Sequence, residues 1–321
     1  MTLTFYRLSI VAVLVFTLLG CSLKWGKPDT VNTTSALTTA ASEAQKTGAQ
    51  DMCQPEKGSP FHLQKVILVA GTISVPYLAR DLPGLPALTS KRLQDHLDAL
   101  ERFTVKAMHD SSFQSHGLGT QMRVKQLGVE HAAQFIVKLE IEDLTLSHSK
   151  GLTGLLFKNR DRRDVIIRSY LYDTEYGSLF DTQRYQRSIS GDVTGYRGNS
   201  GVVTPLWFST SLGKEIDGIL EEVSVEINKK LACIPFSTKV TAVNGNDIHI
   251  NAGHRQGIRP GETLRLYRRS NILNPTVEQK QIKSDVWIQV NTVFPDHSIA
   301  STTQGTRAVN RLNTGDVVRA W

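Results

Sequence analysis

Val66-Ile-Leu-Val-Ala70 is an unbroken apolar run, and it decides the fold class of the first half of the chain. A short run of this kind is typical of a strand that is buried on both faces. Apolar residues then recur at helical spacing after Thr89 or Ser90, either of which can cap a helix. The sequence therefore predicts a buried strand, a Pro- and Gly-rich loop at residues 75–86, and a helix that ends near Arg102.

The same kind of pattern continues to residue 231 and predicts six more elements. They are a strand, a helix, three strands and a helix, at residues 103–108, 120–130, 135–143, 165–176, 179–193 and 210–231. The strand at 135–143 alternates apolar and polar side chains, which predicts one wet face that carries Glu140 and Glu142. Strands and helices in this order predict an α/β sandwich, in which helices pack on a mixed sheet.

No helical periodicity follows Cys233 and Pro235. Short strands are predicted instead, at residues 237–243, 247–251, 263–268, 286–294, 298–302 and 316–319. Asn244-Gly245 between the first two strands is a strong hairpin turn. Six short strands at close spacing predict a small SH3-like β-barrel. The fold class is therefore α+β, with an α/β domain expected at residues 58–233 and the barrel at residues 234–321.

The first residues of the chain predict export and lipid attachment. Arg7 precedes a largely apolar run at residues 8–20, which has the length of a signal-peptide core and is too short to span a membrane. The run ends at Cys21, and the sequence around this cysteine resembles the lipobox of bacterial lipoproteins, in which the cysteine is acylated. Residues 1–20 are then a signal peptide, and residues 21–57 are a disordered tether. The alternative is an ordinary secretory signal with a chance cysteine.

The residue after the lipidated cysteine indicates which of the two membranes the lipoprotein reaches. It is Ser22 rather than Asp, and in the lipoproteins that this segment resembles, such a residue favours passage to the outer membrane. We therefore expect the chain to be anchored through lipid on Cys21 at the periplasmic face of the outer membrane.

The other two cysteines, Cys53 and Cys233, make an even pair in an oxidising compartment. A disulfide between them would tie together the ends of the α/β domain. On the chain-entropy model, a loop of about 180 residues makes this bond worth roughly 4–5 kcal/mol. The alternative is that both are free, buried cysteines.

Composition and motifs favour binding over catalysis. The formal net charge of +7 is spread along the chain, without the basic and aromatic clusters of a nucleic-acid-binding protein. The nine histidines are scattered, and no Cys/His spacing of a metal site is present. The Gly-rich stretch at 191–201 lacks the Gly-Lys-Ser/Thr ending of a P-loop. We expect no enzyme activity and no cofactor.

Four residues are candidates for contact with a partner protein, because loops vary freely on a rigid scaffold. They are Arg162 and Arg163 before the long hairpin and Tyr196 and Arg197 within the Gly-rich stretch. The alternative is that these are plain solvated loops.

Two stretches resemble the flagellar assembly protein FlgT family. Lys65-Val-Ile-Leu-Val-Ala-Gly-Thr72, with the hairpin and helix that follow, is similar to its middle domain, which is itself similar to the amino-terminal domain of TolB. Ala232-Cys-Ile-Pro-Phe236 and the sequence through Gly261-Glu262 resemble its carboxy-terminal domain. The resemblance covers roughly residues 57–321. It implies a periplasmic protein of the outer ring around the flagellar basal body.

Two departures from that family bear on function. The family has a further amino-terminal domain where this chain has the expected tether, and it carries a plain secretory signal. We therefore expect a non-enzymatic outer-membrane lipoprotein that assembles with or stabilises the basal-body outer ring, with any oligomer imposed by that ring. The alternatives are a lipoprotein that activates a cell-wall synthase or supports an envelope export pore, and an enzyme acting on an envelope polymer.

Overall fold

The computed structural model describes residues 62–108, 119–147, 161–190, 193, 204–269, 281–303 and 312–320. The predicted signal peptide and tether lie outside these residues. Two regions can be distinguished. Residues 62–231, here the α/β region, contain a sheet with helices packed on it, and residues 236–320, here the barrel, contain a closed β-barrel. Both belong to one compact unit, which confirms the predicted α+β fold class.

The described part of the α/β region contains six strands and three α-helices, with short 3-10 helices at Pro76–Ala79 and Pro205–Ser209. The strands are β1 (Lys65–Ile73), β2 (Phe103–Ala107), β3 (Phe135–Asp143), β4 (Leu146–Ser147), β5 (Arg162–Asp173) and β6 (Ser178–Ser190). The helices are α1 (Leu85–Asp98), α2 (Thr120–Glu130) and α3 (Ser211–Leu231). The sheet runs β2-β1-β3-β5, and both β4 and β6 pair with β5. β1 pairs in parallel with β2 and β3, whereas β5 is antiparallel to its neighbours, so the sheet is mixed as expected.

Helices cover the two faces of this sheet unequally. On one face, Leu93 and Leu97 of α1 and Leu220 of α3 join a core with Ile67 and Val137. On the other face, the shorter α2 is the only helix among the described residues that contributes, through a smaller core that includes Val66, Leu68, Val124, Leu127 and Ile136. The alternation of side chains along β1 explains how one strand supplies both cores. The run at residues 66–70 is therefore apolar throughout because it is buried on both faces.

The structure corrects two sequence predictions in this region. α1 begins at Leu85, a turn earlier than Thr89 or Ser90, and Pro86 occupies its first turn, where a missing backbone N–H is not needed. It ends at Asp98 rather than near Arg102. The predicted wet face of β3 is also only partly present, because Lys138 on that face is 4% exposed.

The barrel is closed by six antiparallel strands. They are β7 (Phe236–Asn244), β8 (Asp247–Ile250), β9 (Thr263–Arg269), β10 (Gln281–Val293), β11 (Ser298–Thr302) and β12 (Val317–Ala320). The order around the barrel is β10-β11-β8-β7-β12-β9, with β9 returning to β10. The interior is filled by aliphatic side chains, among them Val240, Ile250, Leu264, Leu266 and Ile288. As predicted, a turn at Gly245, with φ of 60°, joins β7 to β8.

Direct hydrogen bonds join the two regions. The Gln64 backbone N–H donates to the Gln256 carbonyl oxygen at 3.0 Å, just before β1. Thr104 Oγ1 on β2 donates to the Arg255 carbonyl oxygen at 3.1 Å. His62 Nε2 and Glu262 Oε1 are 2.6 Å apart. The barrel is thus held against the amino-terminal ends of β1 and β2 as well as through the short connection after α3.

Candidate functional site

The structure describes three of the residues singled out from the sequence. Cys21, Cys53, Tyr196 and Arg197 lie outside the described residues. Cys233 is exposed, directly after the end of α3. The lipid site, the disulfide and the partner contact of the Gly-rich stretch therefore stay predictions.

Arg163 was predicted to contact a partner, and its burial contradicts that prediction. Its side chain is 1% exposed, and Nη2 donates to Asp81 Oδ2 at 2.7 Å. The reason is strand alternation: Arg163 lies on β5 in phase with Val165 and Ile167, which point into the core under α1 and α3. Arg163 therefore ties the loop before α1 to the sheet.

Arg162 remains accessible because it points to the opposite face of β5. Its Nη2 atom donates to Asp164 Oδ1 at 3.1 Å and to Ser188 Oγ at 2.9 Å. These contacts restrain an exposed guanidinium on the sheet surface, but exposed pairs of this kind contribute little to stability. Of the two predicted arginines, only Arg162 can present its charge to a partner.

A cavity of about 410 Å³ lies where the α/β region meets the barrel, and it is the candidate site that the sequence did not predict. Its walls come from the end of α2, the turn after β5, the connection at Ile234 and Pro235, and strands β7 and β12. Sites between structural units are common places for ligand binding. Sequence reasoning missed this cavity because its walls lie far apart along the chain.

Gln134 holds the two sides of this cavity together. Its Nε2 atom donates to the Pro235 carbonyl oxygen at 2.8 Å, and its Oε1 atom accepts from the Ser237 backbone N–H at 3.2 Å. The amide of one side chain thus satisfies a donor and an acceptor at the start of the barrel. Nearby, the Thr174 hydroxyl donates to the Ala133 carbonyl oxygen at 2.6 Å and closes the floor of the cavity.

The carboxyl group of Asp173 lies at the cavity wall. Its Oδ1 atom accepts from the backbone N–H groups of Glu175 and Tyr176, which shapes the turn between β5 and β6. Burial raises the pKa of Asp173, although those two hydrogen bonds and the charges of Arg319 and Lys239 act in the opposite direction. The raised pKa shows that desolvation outweighs the favourable partners at this position.

Arg319 supplies positive charge on the barrel side. Its Nη2 atom donates to Glu175 Oε2 at 3.3 Å, and its guanidinium lies 4.9 Å from the centre of the Tyr267 ring. The cavity is thus lined by two carboxylates, Asp173 and Glu175, and by two cations, Arg319 and Lys239, among apolar groups. This lining suits the binding of a group with mixed polarity.

A second charged cluster joins α1 to α3. Asp217 accepts from Arg92 Nε and Nη2, both at 2.7 Å, and lies 2.7 Å from His96 Nε2. Burial raises the pKa of Asp217, but the hydrogen bonds from Arg92 and His96 outweigh it and lower the pKa below its usual value. A carboxylate kept ionised between two helices is a helix–helix bridge rather than a proton donor.

The described side chains form no cluster that could bind a metal ion. Among them, no group of three or more His, Cys, Asp and Glu side chains is placed to hold a metal ion. The cavity lining contains neither His nor Cys. Within the described part of the chain, no helix has the length and apolar character needed to cross a membrane.

Comparison with protein families identifies the barrel. Residues 245–319 match the family model of the flagellar assembly protein T C-terminal domain. The match spans the barrel from the β7–β8 turn to β12, and it confirms the resemblance to the FlgT family predicted from the sequence. No curated protein sequence matches the chain.

Solved structures show only weak likeness. The PelC dodecamer from Paraburkholderia phytofirmans is 11% identical, with a TM-score of 0.32, over 55% of this chain and 94% of that one. A hypothetical protein from Chlamydia trachomatis is 17% identical, with a TM-score of 0.36, over 53% and 98%. A lipoprotein from Neisseria meningitidis is 13% identical, with a TM-score of 0.29, over 50% and 98%. With TM-scores below 0.5, these likenesses support no conclusion about this chain.

Proposed function

We propose that a barrel of the flagellar assembly protein T C-terminal family here serves a lipoprotein that assembles with, or stabilises, the outer ring of the bacterial flagellar basal body. The match of residues 245–319 to that family is the observation that carries the proposal. The protein would be non-enzymatic. Its partners would be basal-body ring proteins and, through lipid on Cys21, the periplasmic face of the outer membrane.

Geometry supports a role as a rigid adaptor. The barrel is fastened to the α/β region at two places, through Gln256 and Arg255 near β1 and β2 and through the bond from Gln134 to the connection after α3. A partner that binds the barrel would therefore place the α/β region in a defined orientation. Adaptors of this kind need complementary surfaces rather than catalytic groups, and the mixed-charge lining of the cavity suits such contact.

The amino-terminal segment would set where this adaptor acts. We infer a domain plan of signal peptide at 1–20, tether at 21–57, α/β domain at 58–233 and barrel at 234–321. A flexible tether of about 36 residues has a root-mean-square span of roughly 30–35 Å, which favours partners close to the outer membrane. A cell-wall synthase at the inner membrane would lie beyond that distance.

Deletion of the gene tests the proposal. We expect basal bodies with a missing or unstable outer ring and a loss of swimming, both restored by the wild-type chain. The measurements are electron cryotomography of basal bodies and motility in soft agar. Normal rings with normal swimming would exclude the proposal. Normal rings with altered cell-wall synthesis or export would instead support the alternative lipoprotein functions.

Replacement of Cys21 separates anchoring from assembly. Cys21→Ser should leave both regions folded while the protein leaves the outer-membrane fraction and fails to restore the ring. Cell fractionation and the same imaging measure the two effects. Full complementation by the unlipidated chain would show that domain contacts are sufficient and that the anchor is dispensable.

A further inference from the structure

Strand β6 forms an open edge of the sheet. It pairs with β5 from the register Arg162↔Ser190 to Asp173↔Ser178, and a β-bulge at Phe180 interrupts this ladder between Asp181 and Leu179. Within the described part of the chain, no other strand pairs with β6. An edge strand directs alternate backbone N–H and C=O groups outwards, where they form a template for another strand.

Two of the usual protections against edge pairing, Pro and Lys, are missing from β6, and a third, a β-bulge, is present only at Phe180 near one end. Its sequence, Ser178-Leu-Phe-Asp-Thr-Gln-Arg-Tyr-Gln-Arg-Ser-Ile-Ser190, contains no Pro, Gly or Lys. Its charged side chains are bonded to the same chain. Arg184 Nε donates to Glu142 Oε2 at 3.0 Å, Lys230 Nζ donates to Asp181 Oδ1 at 3.2 Å, and Arg187 is paired with Glu222. These charges are therefore held over the sheet or beside α3.

One end of the same edge carries exposed apolar side chains. Leu179 is 49% exposed and Phe180 is 44% exposed, at the bulge that interrupts the ladder with β5. Apolar side chains on a long open edge are a common feature of sites at which another strand pairs. The edge thus offers backbone hydrogen bonds together with apolar surface.

We propose that β6 pairs antiparallel with β6 of a second copy of this chain, so that the two sheets become continuous. A two-fold axis at the middle residue, Arg184, places residues 181–187, which belong to the regular part of β6, opposite the same residues of the second copy. In that register Asp181 lies opposite Arg187 of the second copy. The strand thus pairs with its own copy through charges of opposite sign, which is the reason to choose a second copy as the occupant.

The charges along helix α3 are also complementary between two copies related by this two-fold axis. Lys230 near its carboxyl end lies beside Asp181, and Glu222, two turns earlier, lies beside Arg187. The two-fold axis that matches Asp181 with Arg187 also turns the basic end of one α3 towards the acidic part of the other. The two copies of Arg184 meet at the axis, but each guanidinium is drawn inwards by Glu142, which lies two strands away from the edge. This pairing is independent of the flagellar role.

Cysteine crosslinking of the full chain tests the register. In Arg184→Cys the two introduced thiols would lie about 5 Å apart across the axis. In Thr182→Cys, on the same face of β6, the two positions would be about 14 Å apart along the strands. A short thiol crosslinker should therefore double the mass of Arg184→Cys on a denaturing gel, well above the background of the parent chain with its own three cysteines. Thr182→Cys should stay at that background.

Sedimentation of the parent chain in detergent provides the second measurement. We expect a dimer whose mass halves on dilution, and circular dichroism should show that both variants keep the parent fold. A parent chain that remains monomeric at every concentration would overturn the proposal. Equal crosslinking of the two variants, or none of Arg184→Cys, would also overturn it. A strand of another protein on this edge would give that last result.

Discussion

Among the described residues, every barrel strand has two neighbours, whereas β2, β4 and β6 of the sheet each have one. Apart from the first half of β10, which pairs with β9 alone, the described barrel strands have no open edge, so a partner would contact them mainly through side chains and loops. The sheet keeps backbone donors and acceptors available, most of all along β6. The two regions consequently differ in the kind of surface that they present, and this difference separates the proposed ring contact of the barrel from the proposed self-association of the sheet.

Backbone strain is also distributed differently. In the described part of the barrel, every residue with positive φ is a glycine: Gly245, Gly257, Gly261 and Gly315. In the α/β region, Glu101 and Ala132 adopt positive φ, at 55° and 53°. Residues with a Cβ atom are strained in that conformation. The described barrel therefore uses glycine wherever φ is positive, whereas the α/β region has strained backbone just after α1 and α2.

Removal of the expected disulfide should give the largest difference between the two regions. Cys233→Ser should lower the free energy of unfolding of the α/β region by roughly 4–5 kcal/mol, because the loop between Cys53 and Cys233 encloses that region. The barrel lies outside the loop and should lose far less. Urea unfolding followed by hydrogen exchange resolves the two regions. Cys21→Ser is the matched control and should leave both unchanged. Equal stability of Cys233→Ser and the parent chain would indicate free cysteines.

Loss of the Gln134 amide should have an intermediate effect and weaken the coupling between the regions. Gln134→Ala leaves the Pro235 carbonyl and the Ser237 N–H without their partner, at a cost of about 1–3 kcal/mol. Calorimetry should then show two transitions further apart than in the parent chain.

Gln126→Ala is the control for that experiment. Gln126 lies on the exposed surface of α2 and bonds only to Glu130 four residues later, so its replacement should change stability by less than about 0.5 kcal/mol. If the two substitutions had the same effect, the Gln134 contacts would not couple the regions.

Relief of strain at Ala132 should have the smallest effect. Ala132→Gly should stabilise the α/β region by about 0.5–1 kcal/mol, because glycine adopts positive φ without a steric cost. Ala99→Gly at the end of α1, where φ is −62°, should destabilise by a similar amount. Thermal unfolding of both variants shows whether each substitution raises or lowers the stability of the α/β region. Destabilisation by Ala132→Gly would show that the Ala132 methyl group contributes packing at the cavity wall.

Most elements were predictable because each depends on local periodicity. α2 at Thr120–Glu130 and α3 at Ser211–Leu231 lie close to their predicted positions, and so do the six barrel strands. The start of α1 was predicted a turn late, because Pro86 was interpreted as part of a loop. In the structure, Pro86 lies in the first helical turn, which local sequence alone does not distinguish from a loop.

The candidate site was much less predictable. The burial of Arg163 depends on which face of β5 the helices cover, and the residues next to Arg163 in the sequence do not indicate which face that is. The junction cavity depends on Gln134 meeting Pro235, a contact across 101 positions of the chain. Glutamines with structural roles of this kind resemble solvated glutamines in sequence.

The sequence by itself determined the two-region plan, the element order, the family resemblance of the barrel and the expected lipid attachment at Cys21. These features are periodic or contiguous, so neighbouring residues are enough to specify them. Only the tertiary structure decided which charges are buried, where the cavity lies and that β6 is an open edge. Those properties depend on distant residues brought together in space, and hydrogen bonds and burial are defined only after that assembly.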